Sequence, residues 1–562
     1  MVGDAMSKQT RSTAINRRGA LALIGGGATL SIPGVSKAQT SATIRFAHGV
    51  ASGDPTADGA VIWTRVTPGG AGSDIALRWH VATAADAKPV RSGEVTARAA
   101  ADHTAKHVVD GLDAGSDHWF WFESEGGVRS PVGRFRTLPL GAADRVVIAL
   151  ASCQLYPGGL FNAYADMAAL DRLDAVVHLG DYIYEYDANG YGADIGRKLN
   201  RLPDPPTETV TLSDYRLRHA QVKSDPDMQA AHARAAFICV WDDHEIANDG
   251  WIGGAENHDP ATQGDWAARK AAAMQAYFEW MPIRNPQPGR PWEAINRSFE
   301  FGDLATLAMV ETRLLARSEQ VAPKGSAPMA DQYAIMLAER ARPNRELLGS
   351  GQQQWLERVL ATSVGQSKPW QVIGNQVIMA RVAGPDLEKS LGAERYAALI
   401  EKIPAGFRDR LSQSIAGYRA GLPFNFDSWD GYPAARERLY ATFNRAQSQP
   451  LVLSGDSHAA WANDLYDEAG KLVGSEFGAT AITSPSYGSL IPGLGAVLAD
   501  ANPEVTFCDQ DKKGYTLLTL SPERAVSEFV AVSTVLSKPF ERSVVARYEA
   551  IAEPNRKPLR RV

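Results

Sequence analysis

Five short apolar runs in this chain each end on side chains that can hold a metal ion or move a proton. Residues 146–152 lead into Cys153 and residues 175–180 into Asp181. Residues 237–241 lead into Asp242-Asp243-His244-Glu245, residues 370–374 into Asn375, and residues 451–455 into Asp456-Ser457-His458. At the carboxyl ends of strands in an α/β sheet, loops converge while the strands hold them rigid, so sites are built there. Each run alone has a plainer reading. A free cysteine is usually a small buried core residue. Asp181 after Gly180 suits a cap, and Tyr182, Tyr184 and Tyr186 suit a packed aromatic edge. The neighbours Asp242 and Asp243 repel unless something cationic lies between them. Their joint occurrence at strand ends points to a metal site.

The donor types narrow the chemistry. There is no Gly-x-Ser-x-Gly elbow, and Ser454 and Ser457 flank an acid instead of lying between glycines, which argues against a nucleophilic serine. His244-Glu245 is followed by Ile246-Ala247-Asn248, so no second histidine completes a zinc-protease pair. A set rich in anionic oxygen with one thiol favours highly charged or alkaline-earth ions over a zinc cluster.

Two kinds of element must position these groups. Residues 42–137 read as all-β. Runs at 60–66, 75–81 and 117–123 alternate large apolar with polar residues between Gly- and Asp-rich turns, and 111–115 and 133–139 resemble the closing strands of a fibronectin-type sandwich. A linker is expected at 138–144. From residue 145 to 535, short β runs alternate with amphipathic helices at 161–173, 265–280, 352–361 and 434–447, the pattern of an α/β domain. Loops are expected at 201–206 and 249–260. Residues 536–562 read as a tail, solvated from 555 on; Cys239 reads as core and Cys508 as a ligand-free surface thiol.

The first 38 residues read as an export signal. Lys8, Arg11, Arg17 and Arg18 precede the apolar stretch 19–32, and Ser36-Lys37-Ala38 offers small residues for cleavage. Arg17-Arg18 directly before Gly19-Ala20-Leu21 is the twin-arginine signature, so the twin-arginine machinery is an expected partner and the location periplasmic or secreted. No 18-residue apolar run follows position 40, so no membrane anchor is expected after cleavage. With 58 basic and 64 acidic residues the net charge is −6. Removing five basic and one acidic residue with the signal leaves about −10, with none of the basic surplus of nucleic-acid binders.

Taken together, Ser152-Cys153, Gly180-Asp181-Tyr182-Ile183-Tyr184-Glu185, Trp241-Asp242-Asp243-His244-Glu245 with Asn248, and Ser454-Gly455-Asp456-Ser457-His458 resemble the motifs of PhoD-type alkaline phosphatases. The stretch 46–55 and Ile62-Trp63-Thr64-Arg65 resemble that family's N-terminal β module. The resemblance implies an α/β fold of the metallophosphoesterase kind, a four-layer sandwich of two mixed sheets flanked by helices, behind an N-terminal all-β sandwich. It implies ferric iron beside Cys153 and Tyr184, calcium at an adjacent oxygen-rich position, and Asp181 bridging the two. Asp456 and His458 would be further metal ligands, and Asp243, Asn248 or both would serve calcium. A thiolate and a phenolate form most readily beside a highly charged ion, while calcium tolerates a loose oxygen shell. His244 and Asp243 are the implied catalytic residues, His244 contacting the phosphoryl group or protonating the leaving alcohol as a metal-activated hydroxide attacks. Small phosphate monoesters and diesters are the expected substrates. A phosphodiesterase or phospholipase D-like enzyme on the same scaffold, or a binding protein built on the β module, are the other readings.

Overall fold

The computed structural model describes residues 44–69 and 72–562. The expected export signal lies outside the described residues. Among them, no helix is long and apolar enough to cross a membrane.

All five expected strands form: Val146–Ala151, Ala175–His178, Ala236–Cys239, Trp370–Gly374 and Leu451–Ser454. Every residue in them is buried, which is why they read as continuous apolar runs. The first three lie side by side and parallel, with Ala151 and Cys239 both level with His178, so their carboxyl ends share one edge of a ten-stranded sheet. The other two run parallel in a seven-stranded sheet, Gly374 level with Leu453.

The two sheets share one core. Val372, Leu451 and Leu453 join Val147, Ala149 and Val176 in it, while the alternate residues Ile373 and Val452 face Leu356, Leu360, Leu439 and Phe443 of the helices Ser350–Gly365 and Pro433–Arg445. On the far side of the ten-stranded sheet lie Asn162–Ala168, Pro226–Arg234 and Trp266–Trp280. The order is helix, sheet, sheet, helix, as the resemblance implied.

The N-terminal module departs from a self-contained sandwich. Ile75–Ala82, Arg91–Ala97, Asp117–Ser124 and Gly133–Arg136 form a separate four-stranded sheet. Val50–Gly53, Ala60–Arg65 and Thr104–Val109 instead extend the ten-stranded sheet, through Gly53 opposite Phe237. The two layers still bury a common core of Ile62, Ala105, Leu77, Val81 and Phe120. Local alternation reveals such strands but not a partner nearly two hundred residues away.

The expected tail is not a tail. Arg542–Ile551 pairs along the whole of Arg524–Val532, Arg560–Arg561 adds the outermost strand, and Ala546, Tyr548, Ala550 and Leu559 are buried. Ala546, Tyr548 and Ala550 fall at every second position, the signature of a half-buried strand, beneath a basic composition that suggested solvent. Cys508, expected on the surface, is buried in Val505–Asp509, as Cys239 is in its own strand. The helix expected at 161–173 ends early, at Ala168.

Candidate metal centre

The turns that follow the strands put their polar residues into strained backbone. Cys153, Asp181, Asp456 and His458 have φ of 58°, 59°, 59° and 58°. Left-handed backbone is uncommon for residues other than glycine, and such outliers gather at functional sites. Close approach of the turns requires two glycines. A Cβ on Gly180 would fall 2.4 Å from the Asp242 backbone nitrogen, and one on Gly455 would fall 2.9 Å from Ser152 Cβ. The first contact joins two turns of the ten-stranded sheet; the second joins that sheet to the seven-stranded one.

The result is a continuous run of donors. Cys153, Asp181 and His458 offer ligand atoms within 4.8 Å of one another, as do Asp181, Asp243 and His244, and as do Asp242, Asp243 and Asp456. Asp181 belongs to the first two groups and Asp243 to the last two. The Tyr184 hydroxyl donates to Asp181 Oδ2 at 2.8 Å and lies 3.3 Å from His458 Nε2 and 2.7 Å from Ser484 Oγ. His458 Nδ1 lies 2.7 Å from the Pro485 carbonyl, a bond that puts the ring proton on Nδ1 and the lone pair on Nε2. Burial keeps that ring neutral, with its pKa lowered to about 3. Asn248 is placed differently. Its side-chain amide donates to Glu256 at 3.2 Å, and its backbone N–H to Glu185 at 2.7 Å.

Four residues at the centre, Glu185, Arg313, Asp427 and Glu245, were not among the expected site residues, although both glutamates stand inside the motifs. Glu185, fully buried, accepts from His244 Nδ1 at 2.7 Å and from Asn257 Nδ2 at 2.7 Å as well as from Asn248. Arg313, also fully buried, donates through Nε to Asp242 and makes a paired contact with Asp427 at 2.7 Å on each side. Its Nη2 lies 3.3 Å from Asp456 and 3.5 Å from Asp243. Arg313 had a signal, since Glu311-Thr312-Arg313 follows the apolar strand Ala305–Met309 by the same strand-end rule. Asp427 sits in an irregular loop and had none. Glu245, named only as part of a motif, accepts from the backbone N–H groups of Asp181, Tyr182 and Asp242 at 3.0, 2.6 and 2.8 Å, clamping two turns together.

The electrostatics ask for cations. Burial, reinforced by neighbouring carboxylates, pushes Asp181 and Asp456 well above the usual carboxylate range. Burial and the Asp181 charge push the Cys153 thiol and the Tyr184 phenol up as well. Asp243 goes the other way: burial opposes, but Arg313 and His244 hold it down to about 2. Burial likewise disfavours a charged His244, yet Glu185, Asp243 and Asp181 outweigh it and hold the ring well above its ordinary pKa. Asp181 Oδ1, Asp242 Oδ2 and Asp243 Oδ1 are buried without a hydrogen-bond partner. A buried carboxylate oxygen left unpaired is costly, and cations with oxygen, nitrogen and sulfur affinity would satisfy all three.

Residues 148–529 match the family described as PhoD-like phosphatase, and residues 33–139 match the PhoD-like phosphatase N-terminal domain. The chain belongs to the PhoD-like phosphatase family. It is 33% identical over 510 residues to alkaline phosphatase D of Bacillus subtilis (strain 168), covering 88% of this chain and 79% of that protein. A solved structure titled "Structure of PhoD" superposes with a TM-score of 0.74 at 32% identity, covering 92% of each chain. This PhoD-like chain is therefore a phosphoric ester hydrolase, and the metal dependence that accompanies the family agrees with its donor set.

Proposed function

We propose that the protein is an exported alkaline phosphatase that hydrolyses small phosphate monoesters, and diesters with them, at a two-cation centre. The observation that carries this reading is the run of overlapping donor groups with three buried carboxylate oxygens that no hydrogen bond satisfies. Cys153, Tyr184 and His458 would hold ferric iron, Asp181 would be shared, and Asp243 and Asp456, with Asn248 beside them, would hold calcium. Cations bound there would lower the pKa of a water and neutralise the phosphoryl oxygens.

The chain's own residues would do the rest. Glu185 takes the Nδ1 proton of His244 in a hydrogen bond and leaves Nε2 for the substrate side. Glu185, Asp243 and Asp181 keep that imidazole protonated, so it enters the reaction as a donor to the phosphoryl group or the leaving alcohol. Arg313 keeps Asp243 ionised, ready for a cation. No side chain is cast as a nucleophile, so no phospho-enzyme forms. The twin-arginine signature supports export to the periplasm or beyond.

The test is iron and calcium analysis of protein exported by its native route, with hydrolysis of 4-nitrophenyl phosphate and bis(4-nitrophenyl) phosphate. Both metals and both activities are expected, and Tyr184→Phe should remove the visible phenolate-to-iron absorption. A folded sample that stays inert toward both esters after reconstitution with iron and calcium overturns the reading.

A further inference from the structure

Two tyrosines stand beside the centre with no part in the donor run. The Tyr186 ring lies 5.2 Å from the His244 ring and 6.5 Å from Tyr184, which itself lies 4.2 Å from His244, so the three rings form one cluster. The Tyr191 ring lies 6.2 Å from His458 and within 15° of parallel to it. The two tyrosines meet edge to face, 6.1 Å apart at 72°. Unlike Tyr184, both are partly exposed.

This corner is rigid. Arg218, buried, donates through Nη1 to the carbonyls of Tyr184 and Tyr186, the latter at 3.1 Å, and through Nη2 to Pro205 and Thr207 at 3.0 and 3.3 Å. Its Nε reaches the Asp204 carbonyl at 3.3 Å. One guanidinium thus ties the backbone beneath Tyr186 to the neighbouring loop. Tyr191 is pinned by its hydroxyl, 2.6 Å from the Pro485 carbonyl. Among the described residues the Tyr186 hydroxyl has no hydrogen-bond partner, so the ring is not held there by a bond of its own. The crevice between the rings, where Asp187 and Arg218 join Leu155, Tyr156 and Pro203, measures about 10 Å³, room for a single water, so a ligand ring would lie against the exposed parts of Tyr186 and Tyr191 and not inside it.

We propose that Tyr186 and Tyr191 form the leaving-group subsite and select esters whose alcohol carries a flat aromatic group, an aryl or nucleobase-bearing alcohol, over small aliphatic ones. This rests on the phosphatase reading and on His244 as the residue that meets the leaving oxygen. A leaving group that passes His244 meets the exposed parts of this corner, where a flat ring would lie against one tyrosine and near the edge of the other. Such contacts suit aromatic pairs and offer little to a short polyol. The pinning by Arg218 and Pro485 means little ordering is left to be done on binding.

The test uses the metal-loaded full chain, its Tyr186→Leu and Tyr186→Phe variants, and two monoesters, phenyl phosphate and glycerol phosphate. Tyr186→Leu is expected to lower kcat/KM for the phenyl ester relative to the glycerol ester by about fivefold, mainly through KM, while Tyr186→Phe keeps the ratio. An unchanged ratio, whether both activities fall together or neither does, overturns the proposal. Competitive binding of phenylphosphonate and methylphosphonate to the wild-type chain reads the same preference without turnover and without any variant. Tighter binding of the phenyl compound, by about fivefold, supports the subsite; equal affinities overturn it. If the phenyl compound is preferred and neither ester is hydrolysed, the subsite stands and the phosphatase reading falls. If both esters are hydrolysed and the phosphonates bind alike, the reverse holds.

Discussion

At the Cys153 end of the centre, Cys153, Asp181 and Tyr184 are buried together, and among the described residues no arginine or lysine hydrogen-bonds to their side chains. At the Asp456 end, Arg313 threads between Asp242, Asp243, Asp427 and Asp456. The first end carries protons on groups that would rather be anions beside a metal. The second already contains a guanidinium bonded to its carboxylates, and its Asp243 is ionised, whereas at the first the nearest cations are the His244 imidazolium, which it shares with Asp243, and Lys513. The contrast teaches that proximity of acids does not by itself measure the demand for metal. What measures it is the negative charge left after the protein's own cations have been counted. The Cys153 end should hold its metal tightly and fall apart functionally without it. The Asp456 end should bind more loosely and lean on Arg313.

The sharpest way to break this contrast is to remove one ligand from each end. Asp181→Asn, at the shared position, should abolish hydrolysis and strip both metals, and Cys153→Ser should strip the iron. Asp456→Asn should lower activity but leave iron bound, as elemental analysis of the purified variants would show. Loss of iron from Asp456→Asn to the same extent would erase the distinction. Next in size is His244→Ala, expected to cost roughly 10²–10⁴ in kcat at unchanged metal content. Glu185→Gln should cost less, about 10–100-fold, and nothing further once His244 is already alanine. Additive losses would mean that Glu185 does not act through His244.

Arg313→Met should destabilise the chelated protein by about 3–5 kcal/mol, because Asp242, Asp243 and Asp456 lose their buried guanidinium and Asp427 keeps only Arg317. Calcium should restore part of that loss. Coincident denaturant midpoints for variant and wild type would show that Arg313 does not hold that end together. The smallest effect is on pH. Burial pushes Asp242 and Glu245 up to about 7, from ordinary values of 3.8 and 4.5. The folded state therefore holds these protons more tightly than the unfolded one. Their contribution is complete below about pH 4 and is lost as pH rises through about 7. Asp243, held down near 2, runs oppositely and has finished titrating by then. The chelated protein should thus melt at a lower temperature at pH 8 than at pH 5, and loading with metal should reduce the difference. A chelated protein more stable at pH 8 would show that these carboxyls are not protonated in the fold.

The five strands with polar ends were legible because each is short, fully buried and ends abruptly on a polar residue, a pattern that needs no partner to be recognised, although Asn375 at the end of one bonds to Val377, Ser454 and Trp429 and joins no donor group. Arg313 follows the same rule after Ala305–Met309, but a strand end that bears arginine does not of itself indicate a metal site. Glu185 was hidden in plain view, one residue after Tyr184, since nothing local says that its carboxylate faces His244. The strand Arg542–Ile551 is masked by the charge of its segment although Ala546, Tyr548 and Ala550 alternate inward.

Through its motifs the amino-acid sequence pointed to a family whose fold implied the layer order; on its own it determined the strand ends and the types of donor. These properties follow from side-chain period and composition over a few residues. Only the tertiary structure decided that Asp181 and Asp243 each serve two donor groups, that Arg313 already neutralises one end, and that the N-terminal strands continue the ten-stranded sheet. Those facts depend on which turns touch across residues 153–458, and contact between distant segments is set by packing of the whole core, which no local stretch of chain encodes.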